Sequence, residues 1–347
     1  MSESDNRALI AMSGGIDSSV AAFLMIEQGY ECAGMTMKLF GDFYGAADAQ
    51  AVADTLGIPH YTFDFRGAFE REVIDRFADA YIRGHTPNPC VDCNRYIKFK
   101  RLFTKAKELG CHYIATGHYA NTEYDNVTGR WLLKKAADEK KDQSYFLYTM
   151  TKELLDRVKF PLGGLTKPEV REIARRQNFS NADKKESQDI CFIRGGDYAG
   201  FIEKYTGKSF PPGNFVDISG NILGRHGGVI RYTIGQKRGL GLSLGEAVYV
   251  REIDAVNNAV VLCGEQDLYS KALDAYDINF IPFDKIDKKL KVHAKIRYNQ
   301  PAQQAVAEQT GENAFRVEFE SPQRAVTKGQ AVVLYDGDIV LGGGTIG

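Results

Sequence analysis

The first third of the chain alternates short apolar runs with stretches whose apolar residues recur every three or four positions. Ala8-Leu-Ile-Ala11, Glu31 to Phe40, His60 to Phe65 and Cys111 to Thr116 predict buried strands. Between them, Val20-Ala-Ala-Phe-Leu-Met-Ile26 and Ala46 to Leu56 predict helices. Phe65, Phe69, Val73, Phe77 and Tyr81 then fall four apart, along one helical face. Thr86-Pro-Asn-Pro89 stops that helix, since two prolines in four residues force extended backbone. A basic helix from about Asn94 to Leu109 follows. This order predicts an α/β fold with a doubly wound parallel sheet, in which ligands bind at the carboxyl ends of the strands. A hairpin over Tyr124 to Trp131 and helices near 151–157 and 167–177 close this part.

After about residue 205 the rhythm shortens. Pro211-Pro-Gly213 marks a linker, and Gly, Val and aromatic residues then alternate over 206–270, which predicts a small central β-rich domain. Alternating strands at Leu290 to Arg297, Gln303 to Gln309, Phe315 to Phe319 and Ala331 to Tyr335 predict a C-terminal β-barrel over 271–347. The expected division is therefore 1–205, 206–270 and 271–347.

Composition narrows the class. With 44% hydrophobic and 26% charged residues, the 347-residue chain reads as an ordinary soluble globular protein. No apolar run approaches the roughly 20 residues of a membrane span, and Met1 to Ile10 lacks a basic, apolar leader. A cytoplasmic location and no membrane partner are expected. A net charge of −1 leaves any nucleic-acid partner to local basic patches. One comprises Arg95, Lys98, Lys100, Arg101, Lys105 and Lys107, another Lys134, Lys135, Lys140 and Lys141; on charge alone both read as solvated surface.

Chemistry enters with Met12-Ser-Gly-Gly-Ile-Asp-Ser-Ser19, placed between a strand and a helix. Such a turn aims backbone N–H groups and a helix dipole at an anion, and two glycines let the backbone approach phosphate oxygens. Ser13, Ser18 and Ser19 could add hydroxyl donors, and Asp17 could hold Mg²⁺ on the phosphates. The lysine and spacing of the Walker loop are absent. The segment resembles the Ser-Gly-Gly-x-Asp-Ser loop of the PP-loop ATP pyrophosphatases, which split ATP to AMP and pyrophosphate and activate a substrate oxygen as an adenylate.

The cysteines divide in two. Cys32, Cys111 and Cys263 sit among apolar neighbours and read as small core residues. Cys90, Cys93 and Cys191 occupy polar, loop-like settings. The Cys90-x-x-Cys93 pair, with His85 and Cys191, could complete a zinc site; a thioredoxin-like dithiol is disfavoured by the proline-framed loop. Beside an adenylating loop, distant thiols have a further use. A thiolate or persulfide can displace an activated oxygen, and a second thiol can release the product by forming a disulfide.

Along essentially its whole length the chain resembles the tRNA-specific 2-thiouridylase family. The matching segments are Met12 to Ser19, Met37-Lys38, Thr86 to Pro89 with Cys93-Asn94, Ile97-Lys-Phe99 and Ala115-Thr-Gly-His-Tyr119. They continue with Lys141-Asp-Gln-Ser-Tyr-Phe146, Ser187-Gln-Asp-Ile-Cys-Phe192, Tyr232 to Gly239, Ile296-Arg-Tyr298 and Gly342-Gly-Gly344. The resemblance implies ATP-dependent replacement of the C2 oxygen of the wobble uridine, in the tRNA anticodon loop, by sulfur. It implies ATP binding by Ala11, Met12, Ser13, Gly14, Gly15, Ile16, Asp17, Ser18, Met37 and Gly117. Cys191 would carry the persulfide, supplied by a sulfur-relay protein or cysteine desulfurase, and Cys93 would be its partner nucleophile. Asn88, Pro89 and Cys90 would face the target base; His118, Lys141, Asp142, Gln143, Arg297, Tyr298 and Gln330 would contact tRNA. Cys90 departs from the family pattern, in which an aspartate is common. With cysteine there, Cys90, Cys93 and Cys191 could instead hold a 4Fe-4S iron–sulfur cluster with one open iron. A PP-loop amidating ligase and a non-catalytic zinc-bearing RNA-binding protein are the other readings; the ligase lacks a glutaminase-type segment, and the zinc protein leaves the adenylating loop unexplained.

Overall fold

The computed structural model describes residues 6–41, 45–182, 184 and 190–347. Ser187, Gln188 and Asp189 of the segment before Cys191 lie outside these. Five parallel strands form the first sheet: β1 (Arg7–Ala11), β2 (Glu31–Lys38), β3 (His60–Asp64), β4 (Tyr113–Ala115) and, past the hairpin β5 (Asn121–Asp125) and β6 (Arg130–Lys134), β7 (Val158–Lys159). Their order is β3-β2-β1-β4-β7, with Ala8 level with Cys32 and Tyr113.

Side chains of successive strand residues leave opposite faces, and helices cover both. Leu9 packs with Met35, Ile114, Phe69 and Ile97 on one face. On the other, Ala8 and Ile10 pack with Val20, Ala21 and Met25 of α1 (Ile16–Glu27) and with Ala49, Val52 and Ala53 of α2 (Gly45–Leu56). Phe69, Val73, Phe77 and Tyr81 are all buried along one helical run, as their spacing predicts. That run contains a π-helical turn at Glu70–Ile74.

The middle of the chain forms the four-stranded sheet β10-β11-β8-β9, from β8 (Gly213–Val216), β9 (Ile222–His226), β10 (Tyr249–Asp254) and β11 (Ala259–Cys263). The last part is a barrel of β12 (Tyr269–Phe280), β13 (Leu290–Lys295), β14 (Gln303–Gly311), β15 (Ala314–Arg324), β16 (Ala331–Asp336) and β17 (Ile339–Ile346). It closes where β12 pairs with β17. The glycine-rich β17 and the long β12 escape the sequence pattern, because Gly342 to Gly344 carry no side chains to alternate.

One difference from the sequence reading changes the architecture. The hairpin β5–β6 joins the barrel's sheet, because Ile339 and Val340 of β17 pair with Lys134 and Leu133. The barrel is also fused to the first unit through β16, which is buried on both faces. Val332 and Leu334 point into the barrel, whereas Ala331, Val333 and Tyr335 share a core with Tyr145, Leu147 and Tyr148. Tyr145 Oη donates to the Ala331 carbonyl at 2.8 Å, and Asn279 Nδ2 donates to the carbonyls of Tyr148 and Met150 at 2.6 and 3.1 Å.

Gly343 lies on this junction. A Cβ there would stand 2.4 Å from the Val332 carbonyl oxygen and 2.9 Å from the Tyr148 ring. Gly343→Ala is therefore expected to cost about 1–3 kcal/mol in chemical denaturation. A variant with an unchanged midpoint would contradict this packing.

Candidate active site

The loop from Met12 to Ser19 sits at the carboxyl end of β1, where the parallel sheet predicts a ligand. Gly14 has φ +75°, and a Cβ on it would lie 2.3 Å from the Gly45 carbonyl oxygen, so only glycine fits. The helix α1 begins after Gly15 with no side-chain cap, leaving its first-turn N–H groups open for an anion. The serine hydroxyls are used differently from the expectation. Ser18 and Ser19 Oγ donate to the Gly15 carbonyl at 2.9 and 3.1 Å, and Ser13 N–H donates to Ser18 Oγ at 3.1 Å. They brace the loop. Met12 is braced in turn by its N–H on the Met35 carbonyl and by Thr36 Oγ1 on its own carbonyl, at 2.8 and 2.7 Å. Met37 is buried at the far end of β2.

Asp17, the expected Mg²⁺ ligand, is engaged by protein groups. Its carboxylate is held by Lys167 Nζ at 2.7 and 2.8 Å and by Tyr119 Oη at 2.8 Å. Lys167 is only 6% exposed. Asn181, 3% exposed, donates through Nδ2 to the Gly14 carbonyl at 3.1 Å and to Ser19 Oγ at 2.9 Å. The sequence reading missed both residues. Thr166-x-x-Glu169 announces the helix Lys167–Arg176 as a capping box, yet nothing local says that its first lysine faces a loop 150 positions upstream.

Gly117 abuts the same turn: a Cβ would lie 2.7 Å from the Asp17 carbonyl carbon and the Ser18 nitrogen. The next residue, His118, is buried; its Nδ1 bonds Thr116 Oγ1 at 2.9 Å and its ring packs on Phe99 at 5.6 Å. Burial, with Lys98 nearby, holds it well below the usual imidazole pKa, so it stays neutral. Its ring, expected to contact tRNA, is enclosed here by Phe99 and Phe160.

Phe99 ends the segment that carries the thiols. Cys90 and Cys93 open a helix rather than sit in a loop. Asn88 caps it, its Oδ1 accepting from Cys90 N–H at 3.2 Å, and Pro89 occupies the first helical position. Cys93–Phe99 is π-helical. Cys93 is buried whereas Cys90 and Cys191 are exposed, and all three are free thiols. Burial pushes the Cys93 thiol up to about 12, with Lys98 opposing and the charges of Cys191 and Cys90 adding to the rise. Although both residues reach the surface, protein around their thiols displaces water and raises Cys90 and Cys191 too, again against Lys98. The charge of Lys98 thus acts on thiols from segments 98 positions apart (191 − 93). Among the described residues, however, no three His, Cys, Asp or Glu side chains are arranged to hold a metal ion, so neither the zinc nor the 4Fe-4S donor set is assembled.

The family models agree with this architecture. Residues 6–195 match "tRNA methyl transferase HUP domain", 199–264 "tRNA methyl transferase PRC-barrel domain" and 270–346 "Aminomethyltransferase beta-barrel domain". A tRNA-specific 2-thiouridylase MnmA of Carboxydothermus hydrogenoformans is 49% identical, covering 98% of this chain and 97% of the relative. Those of Acetivibrio thermocellus (48%; 99% of each chain) and Clostridioides difficile (46%; 99% and 98%) are similar throughout. The chain belongs to the tRNA-specific 2-thiouridylase family.

Several residues that resemble the thiouridylase family's tRNA-contact positions are committed inside the protein. Asp142, buried, accepts from Ala136 N–H and from Ser144 N–H and Oγ at 3.0, 3.2 and 2.8 Å. Gln143 Oε1 accepts from Tyr119 N–H at 2.9 Å. Gln330 Nε2 donates to the Thr86 carbonyl at 2.7 Å, and Arg297 donates to the Ala325 carbonyl and, at 2.8 Å, Thr327 Oγ1. Half-buried Tyr298 packs on Phe146 with centroids 4.5 Å apart. Lys141, half-buried, follows a turn closed on Asp138.

Removing one member of the Asp17–Lys167 pair leaves a partly buried charge without its partner. Lys167→Met is expected to cost about 2 kcal/mol, discounted because a third of Asp17 remains in water. Adding Asp17→Asn should cost less than the two single changes summed, in a double-mutant cycle read by urea denaturation. Additive losses would show that the pair is not coupled.

Proposed function

We propose that this chain replaces the C2 oxygen of the wobble uridine of tRNA with sulfur, in two steps driven by ATP. As a thiouridylase-family member it is an enzyme, a tRNA sulfurtransferase. The observation that carries the reading is continuity from the phosphate loop to the thiols. Gly117 touches the loop, His118 packs on Phe99, and the charge of Lys98, the residue before Phe99, acts on Cys90, Cys93 and Cys191.

In the first step the uridine O2 attacks the α-phosphorus of ATP. An O–P bond forms, pyrophosphate leaves, and the base loses its N3 proton. The open N–H groups of α1 and the glycine turn receive the phosphates; the residues from Ala11 to Ser18, with Met37 and Gly117, form this site. Any Mg²⁺ would draw on the phosphates, and no step is assigned to it.

In the second step a persulfide on Cys191 attacks C2, forming C–S as the C–O bond breaks and AMP departs with the electron pair. The Cys93 thiolate then attacks Cys191 Sγ. The S–S bond breaks, the terminal sulfur remains on C2, and a Cys93–Cys191 disulfide is left for an external dithiol to reduce. The persulfide comes from a sulfur-relay protein or cysteine desulfurase. Asn88, Pro89 and Cys90 line the base. Lys141 and Tyr298 contact tRNA, while Asp142, Gln143, Arg297 and Gln330 hold that surface in shape. The division of labour follows the adenylating part at 1–205, the central part at 206–270 and the barrel at 271–347.

Without reductant, persulfide-loaded protein should make about one 2-thiouridine per chain and end with Cys93 and Cys191 joined, as read by peptide mass mapping. Cys90→Ser should still complete this single round, whereas Cys93→Ser and Cys191→Ser should not. The rate should climb with pH across the neutral to mildly alkaline range, because thiols whose pKa burial has raised become thiolates only as pH rises. Loss of the round in Cys90→Ser alongside loss of bound iron would refute this mechanism in favour of the cluster.

A further inference from the structure

Lys98 has no role in the family resemblance beyond lying in the segment Ile97-Lys-Phe99, yet its surroundings are unusual. It is half-buried on the π-helical turn Cys93–Phe99. Hydrogen bonds of that turn run from i to i+5, so position 98 stands about one turn above position 93. Of the neighbouring cations on this helical run, Arg95 pairs with Asp277 and Lys105 with Glu108, whereas Arg101 Nε is buried without a partner. Lys98 has no carboxylate or carbonyl partner among the described residues. Its charge acts on Cys90, Cys93, Cys191 and His118, lowering the thiols against the burial that raises them. Burial keeps that imidazole neutral, so it offers no counter-charge.

A partly desolvated ammonium without a counter-ion costs free energy, and sites that keep one generally place it where negative charge will appear. We propose that Lys98 is the cation of the sulfur-transfer step, stabilising the anionic sulfur. This rests on the thiolation reading above and adds a residue to it. The balance is unchanged: C2–S forms, C2–O breaks with its electrons leaving on AMP, and Lys98 makes and breaks no covalent bond. Adenylation draws on the open N–H groups of the glycine loop and of α1 and does not need this charge. The two half-reactions should therefore separate when Lys98 is changed.

The test follows both half-reactions in single turnover, with persulfide-loaded Lys98→Met and Lys98→Arg, tRNA and ATP. Lys98→Met should retain its tRNA-dependent pyrophosphate burst, which also shows that it folds and binds tRNA. Its 2-thiouridine formation should fall by about 100-fold, the scale of losing one well-placed donor to a developing anion. The KM for tRNA should stay within about 3-fold, a split between steps that a merely structural lysine would not give. Lys98→Arg should recover most of the loss. Thiolation by Lys98→Met within about 3-fold of the unaltered protein would overturn the proposal, as would equal loss of burst and thiolation. Failure of the unaltered protein to thiolate tRNA at all would overturn the functional reading and this proposal together, whereas failure of the lysine effect alone leaves that reading standing.

Discussion

The geometry of the thiol-bearing segment depends on a clamp from the far end of the chain. Thr86 N–H donates to the Lys328 carbonyl at 2.9 Å, and Gln330 Nε2 returns a bond to the Thr86 carbonyl at 2.7 Å. Gly329, with φ +88°, lies so close that a Cβ would be 3.1 Å from His85 Cβ. Two prolines deprive the segment 86–89 of backbone donors, so it cannot anchor itself in a sheet and borrows partners from the barrel. Arg297 steadies the clamp by bonding Ala325, a non-glycine residue at φ +54°, and Thr327. The barrel thereby sets where the helix carrying Cys90 and Cys93 begins.

The same principle explains why so many polar residues near the site point inward. Each buried donor or acceptor left without a partner costs roughly 1–3 kcal/mol. Asp142, Ser144 and Tyr335 accordingly form an internal network beside the junction of β16 with the first unit, and Gln143 Oε1 accepts from Tyr119 N–H. Ser18, Ser19 and Asn181 do the same for the phosphate loop. The loop's backbone is thus pre-shaped, its helix N-terminus kept free, and substrate phosphates meet a site needing little reorganisation. Among the described residues no helix is long and apolar enough to cross a membrane.

Much of this was legible in the sequence where a local pattern carries the information. The parallel strands, the buried face from Phe69 to Tyr81 and the glycine loop all follow from spacing and turn chemistry. What escaped depends on distance. The hairpin Asn121–Asp125 to Arg130–Lys134 reads as part of the first unit, because nothing in it reveals its pairing with Ile339 and Val340. Cys90-x-x-Cys93 reads as loop because its prolines dominate, although Asn88-Pro89 is itself a helix-start signal. Asp17 reads as a metal ligand, and nothing local shows that Lys167 and Tyr119 engage its carboxylate. His118 is a tRNA contact by the resemblance, and nothing local shows that Phe99 and Phe160 enclose it.

The account stands on one claim, that the phosphate loop and the clustered thiols act in sequence on a single base. Nucleoside mass spectrometry of an unmodified tRNA, incubated with the protein, ATP and a persulfide donor, addresses it most directly. The account predicts 2-thiouridine at the wobble position, dependent on ATP and on the donor, with AMP formed in step. Sulfur at another position or another atom of the base, or thiolation that proceeds without ATP, would contradict it.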